Sequence, residues 1–528
     1  MSLDTSYKSP THKLLKWFKE SRDNWKTKYQ ELKKNFKQLE NRIRFLESSK
    51  NQWKKEAIEL RATLKKKREV KASEITRPRF LPAKKAENTH LIISDRDKVT
   101  GHTYSADVIL LLLQLVLSAS VSLRGSERVR AKVNDSIGQP LKSIPSWFSV
   151  RFWLLRVGYY KLMRPKIVAD DWCWILDHTI QLGRTKCLLI LGIRLCDLPL
   201  SGQCLKYCDL EPIDLIPVET STGEMVFRQL EKTIAKTGVP RVILSDHGSD
   251  LKLGITSFRQ EHPNTIHVYD IKHKTAAVLK NILEKEVDWD NFKSLAAITR
   301  SQLQQTVLSH LKAPTQRNKA RYMNIGQLVK WGNETLEVIE KGKFNSEDEF
   351  EKSLNLEWLK NYKAQLAMWG EYLKAITLTE QLVRKEGITK EIPQKLEIEF
   401  KDNMPAIGCE TTNSIKNEMI DFLKIQSESL NTNERLPGSS EIIESVFGKQ
   451  KYLEKEYSKG GFGHLILAIG AIVSTTTADV VKQALETVPV KAVKKWCKEK
   501  LGDTTQSKRK EAYSSIKKEE KQDQLCKT

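Results

Sequence analysis

The stretch Asp171-Trp-Cys-Trp-Ile-Leu-Asp177-His178 is an apolar run that carries a carboxylate near its end. A short run of apolar side chains between polar residues is typical of a strand in the middle of a sheet. A second run of this kind, Arg241-Val-Ile-Leu-Ser245, is followed directly by Asp246. The two stretches predict two strands that each end in an aspartate.

Around these two strands the sequence predicts the element order β-β-β-α-β-α-β. The predicted strands are Trp172–Asp177, Lys186–Leu195, Ile213–Val218, Arg241–Ser245 and Thr265–Tyr269, and the predicted helices are Gly223–Lys236 and Leu251–Glu261. From about Lys272 to Asn433 no strand pattern is convincing, and the chain is expected to be helical or polar. We therefore expect an α+β or α/β fold with a mixed sheet and mainly helical N-terminal, inserted and C-terminal regions.

A third carboxylate, Glu444, lies in Ser439-Ser-Glu-Ile-Ile-Glu444-Ser-Val-Phe-Gly-Lys, which has the pattern of the start of a helix. Two strand-end aspartates and one helical glutamate could hold two Mg²⁺ ions, or Mn²⁺ in their place, about 3.5–4 Å apart. Such a pair of ions supports chemistry at a phosphodiester. Asp177, Asp246 and Glu444 are therefore the candidate metal-binding and catalytic residues.

Three neighbouring acids compete with this assignment. Asp250 is an alternative second ligand, although a charge at the start of a helix would explain it equally well. Glu441 lies one turn before Glu444, and its position behind Ser439 or Ser440 suits a capping-box acid. Asp270 ends the fifth predicted strand and could lie behind the site.

The charge of the chain indicates a polyanionic partner. Its 528 residues carry a formal net charge of +23, and residues 13–68 alone hold 19 Lys and Arg against 7 Asp and Glu. This imbalance favours nucleic acid as the partner. The most apolar stretch, residues 108–123, is too short to span a membrane. The first residues show no apolar signal core, so we expect an intracellular protein, cytoplasmic and at the nucleoid, or nuclear in a eukaryote.

Residues 1–70 predict a basic coiled coil. Apolar and aromatic side chains recur in steps of four and three, interrupted by Lys50, at Trp25, Tyr29, Leu32, Phe36, Leu39, Ile43, Leu46, Trp53, Ala57, Leu60 and Leu64. This period favours a homo-oligomer, a dimer or higher. The alternative is one long helix folded against the body of its own chain.

Residues 100–168 are expected to form a helical DNA-binding domain of the helix-turn-helix type. Its last predicted helix, Trp147–Leu162, carries Arg151, Arg156 and Lys161 among aromatic residues, and these cations are candidate DNA contacts. Arg151 and Arg156 are about 140° apart around a helix. We therefore expect Arg151 to contact DNA and Arg156 to be a satisfied structural charge.

The order of the three acids resembles that of the DDE transposases, whose catalytic core is RNase H-like. In that family the first acid lies on the first strand, the second just after the fourth, and the third on a later helix. Asp177, Asp246 and Glu444 match these positions and are separated by 69 and 198 positions. The second spacing implies a large helical insertion, as in Mutator-like and hAT-like members. The phrase around Glu444 is similar to the Asn-x-x-Glu-Ser-x-Phe of Mutator-type transposases, with Glu441 in place of Asn.

The resemblance implies a DNA transposase that cleaves and joins strands at terminal inverted repeats, with transposon ends and target DNA as partners and no membrane. Lys449 and Lys451 would hold phosphate near the scissile bond. Trp331, Trp358 or Trp369 could stack on a flipped base, although a core role is the alternative for each. Two other interpretations are a non-catalytic, transposase-derived DNA-binding regulator and an RNase H-like nuclease without strand transfer.

These patterns together predict the organisation of the chain. The expected segments are a coiled coil at 1–70, a linker at 71–99, a DNA-binding domain at 100–168, a first part of the RNase H-like core at 169–274, a helical insertion at 275–436, a second part of the core with the third acid at 437–490, and a basic tail at 491–528.

Overall fold

The computed structural model describes residues 13, 15–26, 28–30, 33, 98–136, 143–180, 186–200, 204–316, 325–342, 347–405, 408–455, 463–503 and 507–514. The chain divides into two units, Met1–Ile92 and Ile93–Thr528. In the first unit the described residues are helical, and the side chains of Trp25 and Tyr29 are exposed. Most of the predicted coiled-coil seam lies outside the described residues, so oligomerisation stays a prediction.

The second unit is built around one mixed sheet. Its strands are β1 Trp172–Ile180, β2 Lys186–Arg194, β3 Glu211–Val218, β4 Val242–Ser245 and β5 Ile266–Tyr269, in the order β3-β2-β1-β4-β5. The pairs β1–β2 and β2–β3 are antiparallel, and the pairs β1–β4 and β4–β5 are parallel. All five strands lie where the sequence predicted them, because each is a short apolar run between turn residues.

Side chains alternate between the two faces of the sheet, as the pleat requires. On one face, Trp174, Leu176 and Ile190 pack against two helices, α4 Gly223–Thr237 and α5 Ser249–Glu261. On the other face, Cys173 and Ile175 belong to the larger core formed with the remaining helices. The sheet is therefore the middle of three layers, which is how a buried parallel pair avoids contact with water.

The remaining helices precede and follow the sheet. They are α1 Ala106–Leu117, α2 Leu123–Asp135, α3 Trp147–Met163, α6 Ile271–Leu283, α7 Val287–Leu303, α8 Ile325–Lys341, α9 Glu347–Ser353, α10 Lys363–Glu386, α11 Ile392–Asn403, α12 Glu410–Ser427, α13 Glu441–Lys455, α14 Ala468–Ile472, α15 Ala478–Thr487 and α16 Val490–Leu501. Helix α1 is buried along one side as expected for residues 108–123, and no described helix is long and apolar enough to cross a membrane.

Helix α3 lies mostly in the core, and Phe148 near its start is exposed. It packs against α14 and α15, and a Cβ at Gly158 would overlap the carbonyl oxygen of Leu467. The two backbones therefore touch where Gly158 meets Gly470. An exposed recognition helix was expected here, but the C-terminal helices cover much of α3. Residues 491–501, expected to be part of a tail, belong instead to α16, which buries Val493, Trp496 and Cys497.

The described part of the segment between β5 and α13 is helical, as predicted, apart from an isolated bridge between Ile388 and Leu436. Its centre is a cluster of rings formed by Trp289, Phe292, Trp331, Trp358, Tyr362 and Trp369. The indole N–H groups of Trp331, Trp358 and Trp369 donate to Leu311, Thr299 and Glu286 at 2.7–2.9 Å. These contacts favour the core role for the three candidate stacking residues.

Candidate active site

Asp177 and Asp246 lie side by side where the parallel pairing of β1 with β4 ends, although β1 itself continues past Asp177 to Ile180 instead of ending there as predicted. The register pairs Leu176 of β1 with Ser245 of β4. Asp177 is the next residue of β1, and Asp246 is the first residue after β4. Neighbouring strands are about 4.8 Å apart, so the two aspartates start from adjacent points on this edge. Asp177 shares a sheet face with Ile175 by alternation, which is the face covered by α13.

Glu444 approaches this edge from helix α13. The helix packs against β1 and buries Ile443, Val446 and Phe447, which fixes the side of the helix that faces the sheet. Glu444 itself is half-buried, with 41% of its side chain exposed. The three acids predicted from the sequence are therefore brought to the same end of the sheet.

The electrostatics of Asp177 reflect this grouping. Burial, and then the negative charge of Asp246, raise the pKa of Asp177 to about 7, and Glu444 adds to the rise. The backbone N–H of His178 donates to Asp177 at 2.6 Å and opposes the shift. The two neighbouring carboxylates thus make Asp177 harder to ionise, as expected where like charges share a partly buried site.

His273 contacts the third acid, although no sequence motif indicated a role for this histidine. His273 Nε2 lies 3.3 Å from Glu444 Oε1, and this contact holds the pKa of Glu444 below its usual range. Burial opposes protonation of His273, but the bond to Glu444 raises the pKa of that imidazole. The two residues are 171 positions apart, and no local pattern links them.

Asp270 holds together the starts of α6 and α13, the helices that carry His273 and Glu444. Its carboxylate is buried, with 1% of the residue exposed, and it accepts the backbone N–H of His273 at 2.8 Å. The other oxygen accepts the backbone N–H of Ser440 at 2.5 Å and the Ser440 hydroxyl at 3.0 Å. One carboxylate therefore caps α6 and holds the residue just before α13, as its predicted place behind the site suggested.

The alternative acids have other partners. Glu441 Oε1 lies 2.7 Å from both Lys272 Nζ and Arg384 Nη2, so two cations already neutralise it. Asp250 lies in the first turn of α5, as expected for a helix N-terminal charge, and accepts the backbone N–H of Leu251 at 3.0 Å. These contacts favour Asp246 and Glu444 over their neighbours.

The predicted DNA contacts fall into two groups. Arg156 and Lys161 are buried in α3 and donate to carbonyl oxygens of the C-terminal region, Arg156 to Leu485 and Val488, and Lys161 to Val473 and Ser474. A structural role is therefore favoured for both, as expected for Arg156 but not for Lys161.

Arg151, Lys449 and Lys451 form the second group. Arg151 keeps part of its surface at the start of α3. On α13, Lys451 is exposed and Lys449 is half-buried with its ammonium 4.9 Å from the ring centre of Tyr207. These three cations have the exposure that a phosphate contact needs.

The site has the donor atoms that Mg²⁺ prefers, because all three acids offer carboxylate oxygens. Among the described residues, no three His, Cys, Asp or Glu side chains converge closely enough to hold a metal ion as they stand. Glu444 is turned to His273 instead. The three acids therefore fit the metal in the type of their donor atoms.

Comparison with known proteins leaves the family undetermined. No protein-family model matches the chain, and no curated protein matches it in sequence. Among solved structures, the Drosophila P element transposase strand transfer complex is similar over 73% of this chain and 92% of that one, with 11% identity and a TM-score of 0.33. A similarity this weak does not establish a common fold, so the case for a function rests on the geometry of the site.

Proposed function

We propose that this protein is a DNA transposase of the DDE type, which cleaves and joins strands at the ends of a mobile element. The observation that carries the proposal is the grouping of Asp177, Asp246 and Glu444 at one edge of the sheet. Burial and the charges of Asp246 and Glu444 raise the pKa of Asp177, and grouping like charges in this way is more costly than a structural role explains. Their placement suits a polynucleotidyl transferase that binds two metal ions.

The element order supports the same proposal. Three antiparallel strands are followed by two parallel βα units, and the helix with the third acid comes after a long helical segment. This is the order that the resemblance to RNase H-like cores with an insertion implies. It also explains why Glu444 can be 198 positions from Asp246 and still face the same edge.

In this proposal Asp177, Asp246 and Glu444 hold two Mg²⁺ ions, with Mn²⁺ as a substitute. Bound there, the ions would activate an attacking oxygen and stabilise the leaving oxygen of a phosphodiester. Asp177, whose pKa is raised by the charges of both other acids, is the natural shared ligand. His273 holds Glu444 until the ions bind.

DNA is the proposed partner, both as transposon end and as target. Lys449 and Lys451 follow Glu444 along α13 and are placed to hold phosphate beside the acids. Residues 1–70 would join two or more copies, so that both ends of an element are held together. This oligomerisation is tested by Leu39→Pro, which breaks a helix at a cost of roughly 3 kcal/mol or more and should lower the mass seen by light scattering.

The central experiment uses the full chain with plasmid DNA that carries the sequences flanking its coding region. Asp177→Asn, Asp246→Asn and Glu444→Gln should each abolish cleavage and joining in Mg²⁺, while DNA binding persists. Asp250→Asn and Glu441→Gln are matched controls, since each removes one charge beside the site, and they should retain chemistry. Loss of activity in a control together with activity in its neighbour would reassign that ligand.

Metal replacement separates the remaining interpretations. Ca²⁺ should support DNA binding without cleavage because its looser coordination positions the reacting groups poorly. Binding without cleavage in every divalent metal would indicate a DNA-binding regulator. Cleavage without any joining of the liberated 3′ end would indicate an RNase H-like nuclease.

A further inference from the structure

A row of aromatic rings runs along the exposed start of α3. The ring centres of Trp147 and Phe148 are 5.8 Å apart, and those of Phe148 and Phe152 are 4.9 Å apart. Phe148 is 53% exposed, which is unusual for a phenylalanine beside a well-packed core. At the end of the row near α2, the backbone N–H of Trp147 donates to the carboxylate of Glu127, which is held at that end.

Two cations from distant parts of the chain flank the last ring of this row. The guanidinium of Arg151 and the ammonium of Lys494 each lie 5.7 Å from the ring centre of Phe152. Lys494 belongs to α16, so the contact is made only because α16 folds back onto α3. Both cations also help to lower the pKa of His464, after burial, which places the three groups within one positive field.

Helix α16 extends this positive surface. It buries Val493, Trp496 and Cys497, and its lysines are thereby forced outwards. Lys491, Lys494 and Lys498 are exposed and fall within about 60° of one another around the helix, along about 10 Å of its length. A neighbouring lysine, Lys495, is paired with Glu499 at 3.8 Å and marks the edge of the row.

Among the described residues, the cations of this row have no acidic partner. Within the part of the chain that the structure describes, no carboxylate lies within 4 Å of Arg151, Lys491, Lys494 or Lys498. Unpaired like charges side by side repel one another and reduce the stability of the fold. In the same helix α3, by contrast, Arg156 and Lys161 are each satisfied by carbonyl oxygens.

We propose that the cation–aromatic surface, formed by Phe148, Arg151, Phe152, Lys491, Lys494 and Lys498, binds the phosphate backbone of DNA. This inference rests on the proposed function for its partner, and it assigns a role to α16 that no motif indicated. Lysines in a row match the repeating charge of a nucleic acid strand. Exposed rings between them offer faces on which sugars or unpaired bases can pack.

The direct test is lysine acetylation of the full chain, read by mass spectrometry with and without duplex DNA. EDTA is present throughout, so the result does not depend on metal chemistry. DNA should protect Lys491, Lys494 and Lys498 from acetylation. Lys330, Lys341 and Lys424 serve as internal controls, because they are also exposed, lie on other helices and are each paired with an acid of their own helix, and they should react equally in both samples.

A second arm measures affinity. The triple variant Lys491→Gln, Lys494→Gln and Lys498→Gln removes the same charge as the matched control variant Lys330→Gln, Lys341→Gln and Lys424→Gln. Three lost phosphate contacts should reduce the slope of log affinity against log salt by about 2.7 for duplex DNA. Between 50 and 200 mM salt the control should therefore lose about 40-fold more affinity than the surface variant.

The outcomes distinguish a failure of the cation–aromatic surface to bind DNA from a failure of the proposed transposase function. Protection of the three lysines without DNA cleavage in Mg²⁺ would support the surface and count against the transposase. Equal acetylation of all six lysines with and without DNA, or equal salt slopes for the two variants, would overturn the surface whatever the cleavage result. Protection by polyglutamate but not by DNA would also overturn it, since an acidic protein would then be the partner. Matching circular dichroism and melting temperatures confirm that both variants fold.

Discussion

Asp270→Asn is the substitution that tests most sharply how the third acid is positioned. The change keeps the shape of the side chain but replaces one acceptor oxygen with an amide donor. Asp270 accepts from His273 N–H, Ser440 N–H and the Ser440 hydroxyl, so the new NH₂ group must face at least one N–H. Losing one bond to a charged group costs about 1.5–3 kcal/mol, and burying two facing donors adds to this cost. We expect a local loss of about 2–4 kcal/mol.

The assay is hydrogen exchange, because a chain of this size is not expected to unfold in a single two-state step. Each 1.4 kcal/mol changes an equilibrium tenfold, so the amide of Ser440 should exchange roughly 30- to 1,000-fold faster. Asp290→Asn is the matched control, since Asp290 lies in the first turn of α7 with 69% of its side chain exposed. It should leave exchange at Ser440 unchanged.

A double-mutant cycle tests whether Asp270 and Ser440 act together. Ser440→Ala removes the hydroxyl partner, and its effect should not add to that of Asp270→Asn, with a coupling energy of about 0.5–3 kcal/mol. Wild-type exchange at Ser440 in Asp270→Asn would show that the carboxylate does not hold the start of α13. Strictly additive effects would show that the two residues act separately.

Four further substitutions test other parts of the fold. Gly158→Ala should destabilise α3 by about 1–3 kcal/mol or more through overpacking against α14, while Gly448→Ala, with nothing within 4 Å, should stabilise α13 by up to about 1 kcal/mol, both measured by hydrogen exchange of the amides of these helices. Lys161→Met should lower the melting temperature through about 1–3 kcal/mol of lost hydrogen bonding, with DNA affinity unchanged. Burial, aided by His247 and Arg259, lowers the pKa of His267 to about 3. The unfolded chain takes up that proton near pH 6.5, so stability should fall as pH drops from 6.5 towards 3, and less steeply in His267→Gln.

The strands and the order of the acids were predictable because both depend on local patterns. An acid near the end of an apolar run lies in a strand or directly after it, as Asp177 does in β1 and Asp246 does after β4, whichever strands turn out to be its neighbours. This is why Asp177 and Asp246 could be named before the pairing of β1 with β4 was known. Glu444 could be predicted because the capping residues before it indicate where its helix starts.

Contacts between distant segments were not predictable. Helix α3 is buried on most sides, so its sequence has no polar face that could show which cations point inwards. Lys161 bonds to residues 312 and 313 positions away, and Arg156 to a residue 332 positions away. His273 and Lys494 acquire their partners in the same way. The sequence showed these residues as charges on helices, and only the packing of the C-terminal helices distinguishes structural cations from surface ones.

The central claim is that Asp177, Asp246 and Glu444 together bind two divalent ions. Anomalous diffraction from crystals soaked in Mn²⁺ tests it directly. We predict two peaks about 3.5–4 Å apart beside Asp177 and Asp246, with Glu444 turned away from His273 to complete the site. Crystals in which Mn²⁺ binds elsewhere, or in which this edge stays empty while the same protein cleaves DNA in Mn²⁺, would contradict the account.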